Sequence, residues 1–433
     1  MQIHRRILGI SMLTVWPLLL FPSLACAFAP RKSGYDSLGL RDYQTLVLQG
    51  NLSLESARAA VDADQNAAKM ERSRLLPQFD LNGDAYRFRG LNEVPTVDPE
   101  GEVYRGSISF HQLLFDFGRK SARYRAARKQ ELAADFSAGE TLRSLFYQAF
   151  TAYFHCQLAV ALRRVAVESC SLSQWQLQQA RVSVESGRES FTSLLKAQAD
   201  SSVSSINLMS ADYQVRTWFR QLEKIAGKPM PDPLRLTEPL EILESLPDTA
   251  AKAAVDLDNH PSVLLRKMQS ESQQALRTSA QKALLPEISA LGDYSLRKYK
   301  QEDWKPVWKV GVQLSAPLMD GGERFFGLKK AEAESRQAKA TLTQVRWEIQ
   351  HEFQDAYDGA KDAYAKVSAI KNLVAKAQLD LDVSRERYQV GKAGTVDILE
   401  AKMALTQAES ELSQSYFDAR VAYYRLVQAS GRD

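Results

Sequence analysis

The stretch SGRESFTSLLKAQ at residues 186–198 recurs 204 positions later as VGKAGTVDILEAK at residues 390–402. The correspondence is not local, because the whole of Asp116–Gly227 aligns with Asp320–Gly431. Both copies open on an Asp-x-Gly triplet and close on a glycine. A tandem duplication of this length predicts two structural units of the same topology, and function has to be sought in that unit.

The first 27 residues have the pattern of a secretory signal peptide. A basic head precedes an apolar stretch from Ile7 to Phe21, and small residues follow up to Ala27. The apolar stretch is shorter than a membrane-spanning helix requires. We predict cleavage after Ala27, with acylation of Cys26 in a lipoprotein as the alternative.

Composition narrows the class of protein further. The formal charge is +4 over 433 residues and no basic run stands out, so we predict no nucleic-acid partner. Cys156 and Cys170 stand 14 residues apart, which on one helix is about 21 Å and too far for a disulfide. No apolar run of about 20 residues follows residue 27. The composition indicates an exported protein that does not depend on disulfides.

The positions of the prolines predict where long helices form. After the signal peptide there is no proline between Pro99 and Pro229, and none after Pro317. Because an interior proline costs a helix about 3 kcal/mol, only these stretches admit very long helices. We predict two helices of about 100 Å, each followed by a shorter return helix. They occupy 119–186 and 191–226 in the first copy, and 322–390 and 395–429 in the second.

The return helices carry a seven-residue repeat. In the second copy the larger residues of the repeat are Ile398, Leu405, Leu412, Ala419 and Leu426, and the small ones are Ala401, Ala408, Ser415, Ala422 and Ala429. The matching positions of the first copy are Leu194, Ser201, Leu208, Val215 and Leu222, with Ala197, Ser204, Ala211, Trp218 and Ile225. Such a repeat is typical of coiled coils, and small residues let helices approach closely. An ordinary buried amphipathic helix is the alternative.

Before each long helix the hydrophobic period changes from helical to alternating. We predict β-hairpins over 79–115 and 287–318, with turn-rich loops at 90–103 and 298–306. Each apolar-polar run is about ten residues long, as in outer-membrane strands. Two isolated hairpins would have no soluble sheet to pack on. Aromatic residues are available for the membrane interfaces at Tyr86, Tyr104, Tyr294 and Trp308.

Four strands per chain cannot close a barrel, and open sheet edges are not tolerated in lipid. The chain is therefore predicted to assemble. Three copies would give twelve strands around a lumen, whereas two copies would also close but leave little room for a conduit. The predicted fold is mainly α, with long coiled-coil helices and four transmembrane β-strands per chain. Its domains are a signal peptide (1–27), a first repeat (28–227), a Pro-rich equatorial linker (228–250) and a second repeat (251–433).

The chain resembles the TolC-type outer-membrane efflux family from about residue 45 to its end. The tip motif of that family is matched by Arg387-Tyr388-Gln389-Val390-Gly391 and then by Val396-Asp397-Ile398-Leu399-Glu400-Ala401. The Leu-Leu-Pro before each hairpin and the Asp-x-Gly after it also fit. The tip motif combined with the duplication is specific, whereas each piece alone would be weak.

The resemblance implies a homotrimeric conduit. Its twelve-stranded barrel would lie in outer-membrane lipid and continue as an α-helical barrel through the periplasm. Such channels dock with a periplasmic adaptor (membrane fusion) protein and an inner-membrane pump, in tripartite efflux or type I secretion. The alternative is a non-channel periplasmic coiled-coil adaptor or structural spacer.

The resemblance also implies two kinds of site, each with a purely structural alternative. The adaptor-docking tips would comprise Gly187, Arg188, Ser190, Gly391, Lys392, Gly394 and Thr395, which otherwise are only turn residues. The periplasmic gate would comprise Asp397, Glu400 and Tyr388, although Asp397 could merely complement the dipole of its helix. The chain departs from the family by having Ala393 and Ser193 where well-studied members place an Arg–Asp tie.

An enzymatic reading finds little support in the sequence. The histidines are scattered, and the His351-Glu352 pair lacks the second histidine of a zinc-protease helix. We therefore predict no catalytic residues, no metal site and no cofactor.

Overall fold

The computed structural model describes residues 37–89, 100–230, 235–241, 256–299 and 303–431. The predicted signal peptide, Cys26 and most of the predicted linker at 228–250 lie outside these ranges. Among the helices in the described ranges, none combines the length and apolarity that a membrane span requires.

The described chain contains seven α-helices and six β-strands in a repeated order. The first copy comprises β1 (Ser37–Leu38), α1 (Leu40–Gly50), α2 (Leu52–Ser73), β2 (Gln78–Arg89), β3 (Glu100–Phe115), α3 (Arg119–Glu185) and α4 (Phe191–Ala226). After β4 (Arg235–Leu236), the second copy comprises α5 (Pro261–Lys282), β5 (Glu287–Tyr299), β6 (Lys305–Ser315), α6 (Glu323–Gln389) and α7 (Thr395–Ala429). The second hairpin ends at Ser315 rather than at 318, before Pro317, which has no N–H to donate to a strand.

The Asp-x-Gly triplets begin the two long helices. The carboxylate of Asp116 accepts hydrogen bonds from the backbone N–H groups of Gly118 and Lys120, at 2.9 and 2.7 Å. Asp320 accepts from the residues two and four places on, at 3.1 and 3.3 Å. Gly118 and Gly322 have φ of 83° and 89°, which favours glycine. Each aspartate thus satisfies N–H groups that the first helical turn leaves without a partner.

Each long helix forms an antiparallel hairpin with its return helix. α3 packs on α4 and α6 packs on α7, and α3 also contacts α7, so that the two hairpins lie side by side. Every position of the predicted seven-residue repeat in α4 and α7 is buried or half-buried. The repeat therefore marks the faces along which these helices pack.

The four long strands form one antiparallel sheet in the order β2-β3-β5-β6. This corrects the treatment of the two hairpins as isolated, because β3 pairs with β5 over Val103–Phe115 and Ile288–Tyr299. The join brings together segments that are almost 200 residues apart in the sequence. Strands β2 and β6 remain as the two edges.

The two faces of this sheet differ in polarity. One face carries an apolar row on every strand, and its members on the outer strands, such as Leu81 and Val310, are 82% and 80% exposed. Tyr104, Tyr294 and Trp308 lie on this face. Tyr86 lies on the other, polar face together with Asp84, so it does not share a face with those three aromatic residues.

The main hydrophobic core is formed by residues of α1, α2, α3, α4, α6 and α7, together with Leu38 and Leu240. Tyr153 lies in this core and donates from its hydroxyl to the carbonyl of Leu38 at 2.9 Å. Arg420 donates from Nη2 to the carbonyl of Pro239 at 2.8 Å, and its guanidinium lies over the ring of Phe154. These contacts attach the described parts of the N-terminal and connecting segments to the helices.

Candidate functional site: the hairpin tips

The two hairpin tips share one turn geometry. Gly187 and Gly391 follow α3 and α6 with φ of 70° and 71°. In each tip, the next residue donates its backbone N–H to a carbonyl five residues earlier, at 2.9 Å for Arg188 and 2.8 Å for Lys392. This pattern is a Schellman motif, which requires a left-handed residue after the helix. The duplication has therefore preserved the backbone of the tip while its side chains diverged.

Both tips are exposed. A Cβ atom added to Gly187 or Gly391 would meet no other atom within 4 Å. Arg188, Ser190 and Lys392 are exposed as well. Gly394 is also exposed, whereas the side chain of Thr395 lies outside the described part of the structure. The predicted docking residues thus form two turns whose described side chains and glycines are accessible to a partner.

Asp397 has a structural role in addition to its predicted one. Its Oδ2 atom accepts a hydrogen bond from the backbone N–H of Gly394 at 2.7 Å, at the start of α7. Its side chain and that of Glu400, one turn further on, are exposed. The two carboxylates lie on one face of α7, since residues three apart are neighbours on a helix. The structure therefore brings both predicted gate acids to the tip.

Tyr388 belongs to the packing of its own hairpin. Its half-buried ring packs against a small cluster formed by Leu381, Ile398 and Ala401. At the family's aspartate position, the Ser193 hydroxyl lies 3.4 Å from that of Ser190. Tyr388 thus has no carboxylate partner from the first hairpin at this position.

A buried ion pair connects the two hairpins near their tips. The Nζ atom of Lys402 on α7 lies 3.2 Å from Oδ2 of Asp200 on α4. The lysine side chain is only 3% exposed and the aspartate side chain 16%. A buried ammonium group needs such a partner because desolvation alone would disfavour its charge. We refer to this pair as the inter-hairpin ion pair.

The inter-hairpin ion pair lies beside a small cavity. Gln176 and Asp200 line a cavity of about 20 Å³ between the start of α4 and the start of α7. The amide of Gln176 is buried and has no hydrogen-bond partner within the described chain. A cavity of this size has room for about one water molecule. Sequence reasoning missed these residues, although a lysine four places after Ile398, on the buried side of α7, was a signal.

The described residues show neither a metal site nor a reactive thiol. Within these ranges, no group of three or more His, Cys, Asp and Glu residues could hold a metal ion. Cys156 and Cys170 are free and buried, and burial raises the pKa of the Cys156 thiol to about 12. Such a thiol is protonated at neutral pH and therefore unreactive.

The geometry defines a class of protein. Paired helical hairpins end in exposed turns on one side, and a sheet with an apolar face stands at the other end. This is the architecture of an outer-membrane channel subunit with a long helical part. The chain belongs to the outer membrane efflux protein family, whose sequence model matches residues 45–228 and 256–432.

Individual relatives agree with this assignment. The chain is 25% identical to the outer membrane efflux protein BepC of Brucella suis, over 89% of this chain and 83% of that protein. It is 24% identical to the outer membrane protein TolC of Escherichia coli, over 92% and 84%. It is also 24% identical to the alkaline protease secretion protein AprF of Pseudomonas aeruginosa, over 90% and 84%.

Solved structures show the same fold. The outer membrane protein VceC of Vibrio cholerae superposes with a TM-score of 0.81 at 18% identity, over 91% of this chain and 96% of that one. CusC superposes with a TM-score of 0.81 at 18% identity, over 92% and 93%. The predicted fold class, family and outer-membrane location are thereby confirmed, and the alternative of a non-channel adaptor or spacer is set aside.

Proposed function

We propose that this protein is the exit duct of a tripartite efflux or type I secretion system. The observation that carries the proposal is a sheet with one apolar and one polar face at the end of two 67-residue helices. An apolar outer face suits lipid and a polar inner face suits a water-filled lumen. Helices of this length span about 100 Å, which is enough to continue the lumen far beyond the membrane.

The exposed sheet edges support assembly as a homotrimer. Strands β2 and β6 each leave one row of backbone N–H and C=O groups without a strand partner in the chain. Lipid does not satisfy such groups, so β6 of one copy pairs with β2 of the next. Three copies close a twelve-stranded barrel with a lumen, and the long helices continue it as an α-helical barrel.

The exposed tips are the docking surface for a periplasmic adaptor (membrane fusion) protein, which connects the duct to an inner-membrane pump. Their matching Schellman turns present two similar surfaces per chain, six in a trimer, to a partner at the periplasmic end. The names of the relatives cover both efflux and protease secretion. Both are transport roles, and the proposal assigns this protein no catalytic step.

The periplasmic gate consists of Asp397 and Glu400 around the aperture, with Tyr388 packed behind them. The inter-hairpin ion pair holds the closed arrangement, in place of the family tie that Ala393 and Ser193 cannot form. Its support is position and burial, because it joins the two hairpins about two to three turns from their tips.

Membrane fractionation and planar-bilayer recording test the proposal together. The full-length protein is expected in the outer-membrane fraction as a detergent-stable trimer, and purified trimers are expected to form conducting channels. Light scattering in detergent gives the number of chains. A soluble periplasmic monomer, or a membrane trimer that never conducts, would contradict the proposed function.

A further inference from the structure

One row of the polar sheet face concentrates positive charge. The strand register places Asp84, Arg105, Arg297 and Lys305 side by side across the four strands. This row, which we call the basic row, has three cations and one carboxylate. Arg105 and Arg297 are direct cross-strand partners, and like charges in that relation destabilise a sheet. Arg297 and Lys305 lie near the loop ends of their strands, so the basic row lies towards the loop side of the sheet, away from the helices.

The side chain of Arg105 runs along the sheet towards the helices. Its Nη2 atom lies 3.5 Å from Oδ2 of Asp293, which pairs with Ser109, four residues further along β3. It therefore crosses the intervening row, where Ser107 and Ser295 are paired and buried. The small serine side chains leave room for a guanidinium against the sheet, so that the face is shaped around this arginine.

The two arginines of the basic row differ in their ion-pair partners. Asp293 neutralises Arg105, but Arg297 has no ion-pair partner among the residues that the structure describes. The Nε atoms of Arg105 and Arg297 are buried and have no hydrogen-bond partner within the same ranges. A buried N–H group without a partner costs about 1–3 kcal/mol. A like-charge pair with unused donors is a local conflict of the kind that is retained at functional sites.

We propose that the basic row is a binding site for the anionic groups, carboxylate or phosphate, of solutes that leave the duct. The inference rests on the proposed trimer, in which the row becomes a belt of six arginines, three lysines and three aspartates on the lumen wall. Guanidinium groups bind carboxylate and phosphate oxygens in a bidentate manner. A ring of like charge also raises the local concentration of counter-ions. The belt therefore favours anionic solutes at the exit, whereas the acids at the tips favour cations at the entrance.

Bilayer recording with inorganic tripolyphosphate tests the site on the full-length trimer. Addition on the side of the strand loops is expected to reduce the current of the wild-type channel, and addition on the tip side is expected to do so much less. The Arg105→Gln/Arg297→Gln variant should need at least tenfold more tripolyphosphate for the same block. Its reversal potential in a KCl gradient should shift towards greater cation selectivity.

The matched control is Arg105→Lys/Arg297→Lys, which keeps the charge but loses the bidentate donors. It should keep the wild-type reversal potential while its block weakens by a few-fold. If the Gln variant does not assemble, Lys305→Gln at the start of an edge strand carries the same comparison with a smaller expected shift. A conducting channel whose block and reversal potential are unchanged in the charge-removing variants would overturn the inference alone. A wild-type trimer that does not conduct would overturn the proposed function and the inference with it.

Discussion

The tip glycines matter at the scale of single residues because their backbone conformation, and not the space around them, excludes other side chains. Gly391 has a φ of 71° and open space where a Cβ would lie. A β-branched residue there would cost on the order of 1–3 kcal/mol of backbone strain. That cost is small for a molecule of this size, so it should alter the turn without preventing folding.

We accordingly expect Gly391→Val to reduce export in cells while the yield of trimer stays normal. Co-purification with the native adaptor should fall in parallel, because the strained turn displaces Lys392. Gly359→Val is the matched control, since Gly359 lies inside α6 and also has open space around it. Normal export and adaptor binding by the Gly391 variant would show that this tip is only a turn.

A second residue-scale effect concerns Glu409 on α7. Burial raises the pKa of its carboxyl, and the nearby Glu168 raises it further, whereas Arg164 opposes both. A carboxyl whose pKa is raised on folding binds more protons in the folded than in the unfolded state. Its contribution to stability therefore decreases as pH rises from the unfolded value of about 4.3 through the raised folded value.

Glu409→Gln should thus stabilise the protein at pH 7.5, and the gain should disappear near pH 4, where the wild-type carboxyl is protonated. Thermal unfolding of the detergent-solubilised protein at the two pH values measures this. Glu386→Gln serves as control, because the side chain of Glu386 is exposed to solvent. A gain that is equal at both pH values would point to packing instead of charge.

At the scale of elements, the two faces of strand β6 give a direct test of which face meets lipid. Val310 is exposed on the apolar face and pairs with Gly292, whereas Gln313 lies on the polar face and pairs with Ser289. A lysine on the lipid side of a barrel strand costs about 2–4 kcal/mol near the midplane, while the lumen side tolerates it.

Val310→Lys should therefore lower the amount of heat-resistant trimer in the outer membrane, and Gln313→Lys should leave it unchanged. Gel electrophoresis of unheated membrane samples compares the two variants directly. Equal yields, or a loss confined to Gln313→Lys, would reverse the assignment of the two faces.

The inter-hairpin ion pair acts between elements, since it joins α4 to α7. Removing one partner of a buried pair costs about 3–5 kcal/mol, because the other charge stays buried, whereas replacing both partners by apolar residues is often neutral. Lys402→Met should therefore lower the thermal stability, and the double variant Asp200→Leu/Lys402→Met should recover much of it.

If the pair also holds the closed state, both variants should show a higher open probability than the wild type in bilayers. The double variant then distinguishes the two roles, because it regains thermal stability but does not regain the closed state. Wild-type closure in the stable double variant would reduce the ion pair to a packing feature of the two hairpins.

At the scale of the whole molecule, ion selectivity is expected to depend on the ring of acids that three copies would place around the periplasmic aperture. Six carboxylates in a narrow ring repel one another and concentrate cations at the entrance. Because Asp397 also accepts the hydrogen bond from Gly394, its charge has to be removed without loss of the acceptor.

Asp397→Asn/Glu400→Gln meets that condition. The wild-type trimer should prefer cations and be blocked by di- or trivalent cations from the tip side, and this variant should lose the block and part of the preference. The control is Asp380→Asn, which removes an exposed acid of α6. It should leave the cation block and the cation preference unchanged. Anion selectivity of the wild type, or an unchanged block in the double variant, would remove the two acids from the gate.

Much of this molecule could be predicted from its sequence, because the deciding signals are local. The prolines leave only two stretches for long helices, the Asp-x-Gly triplets supply their first hydrogen bonds, and the tip glycines supply a left-handed residue where each helix ends. Each signal acts within about five residues, so its meaning does not depend on the rest of the chain. The long helices, their return helices and the positions of the tips follow from them.

The pairing of segments far apart in the sequence was decided only by the tertiary structure. The join of β3 to β5, the contact of Lys402 with Asp200 and the alignment of Arg105 with Arg297 all depend on register. A shift of one residue would move a strand side chain to the other face, and a turn of helix would separate the ion pair. Local periodicity does not contain that register, since it is set by how the two copies pack on each other.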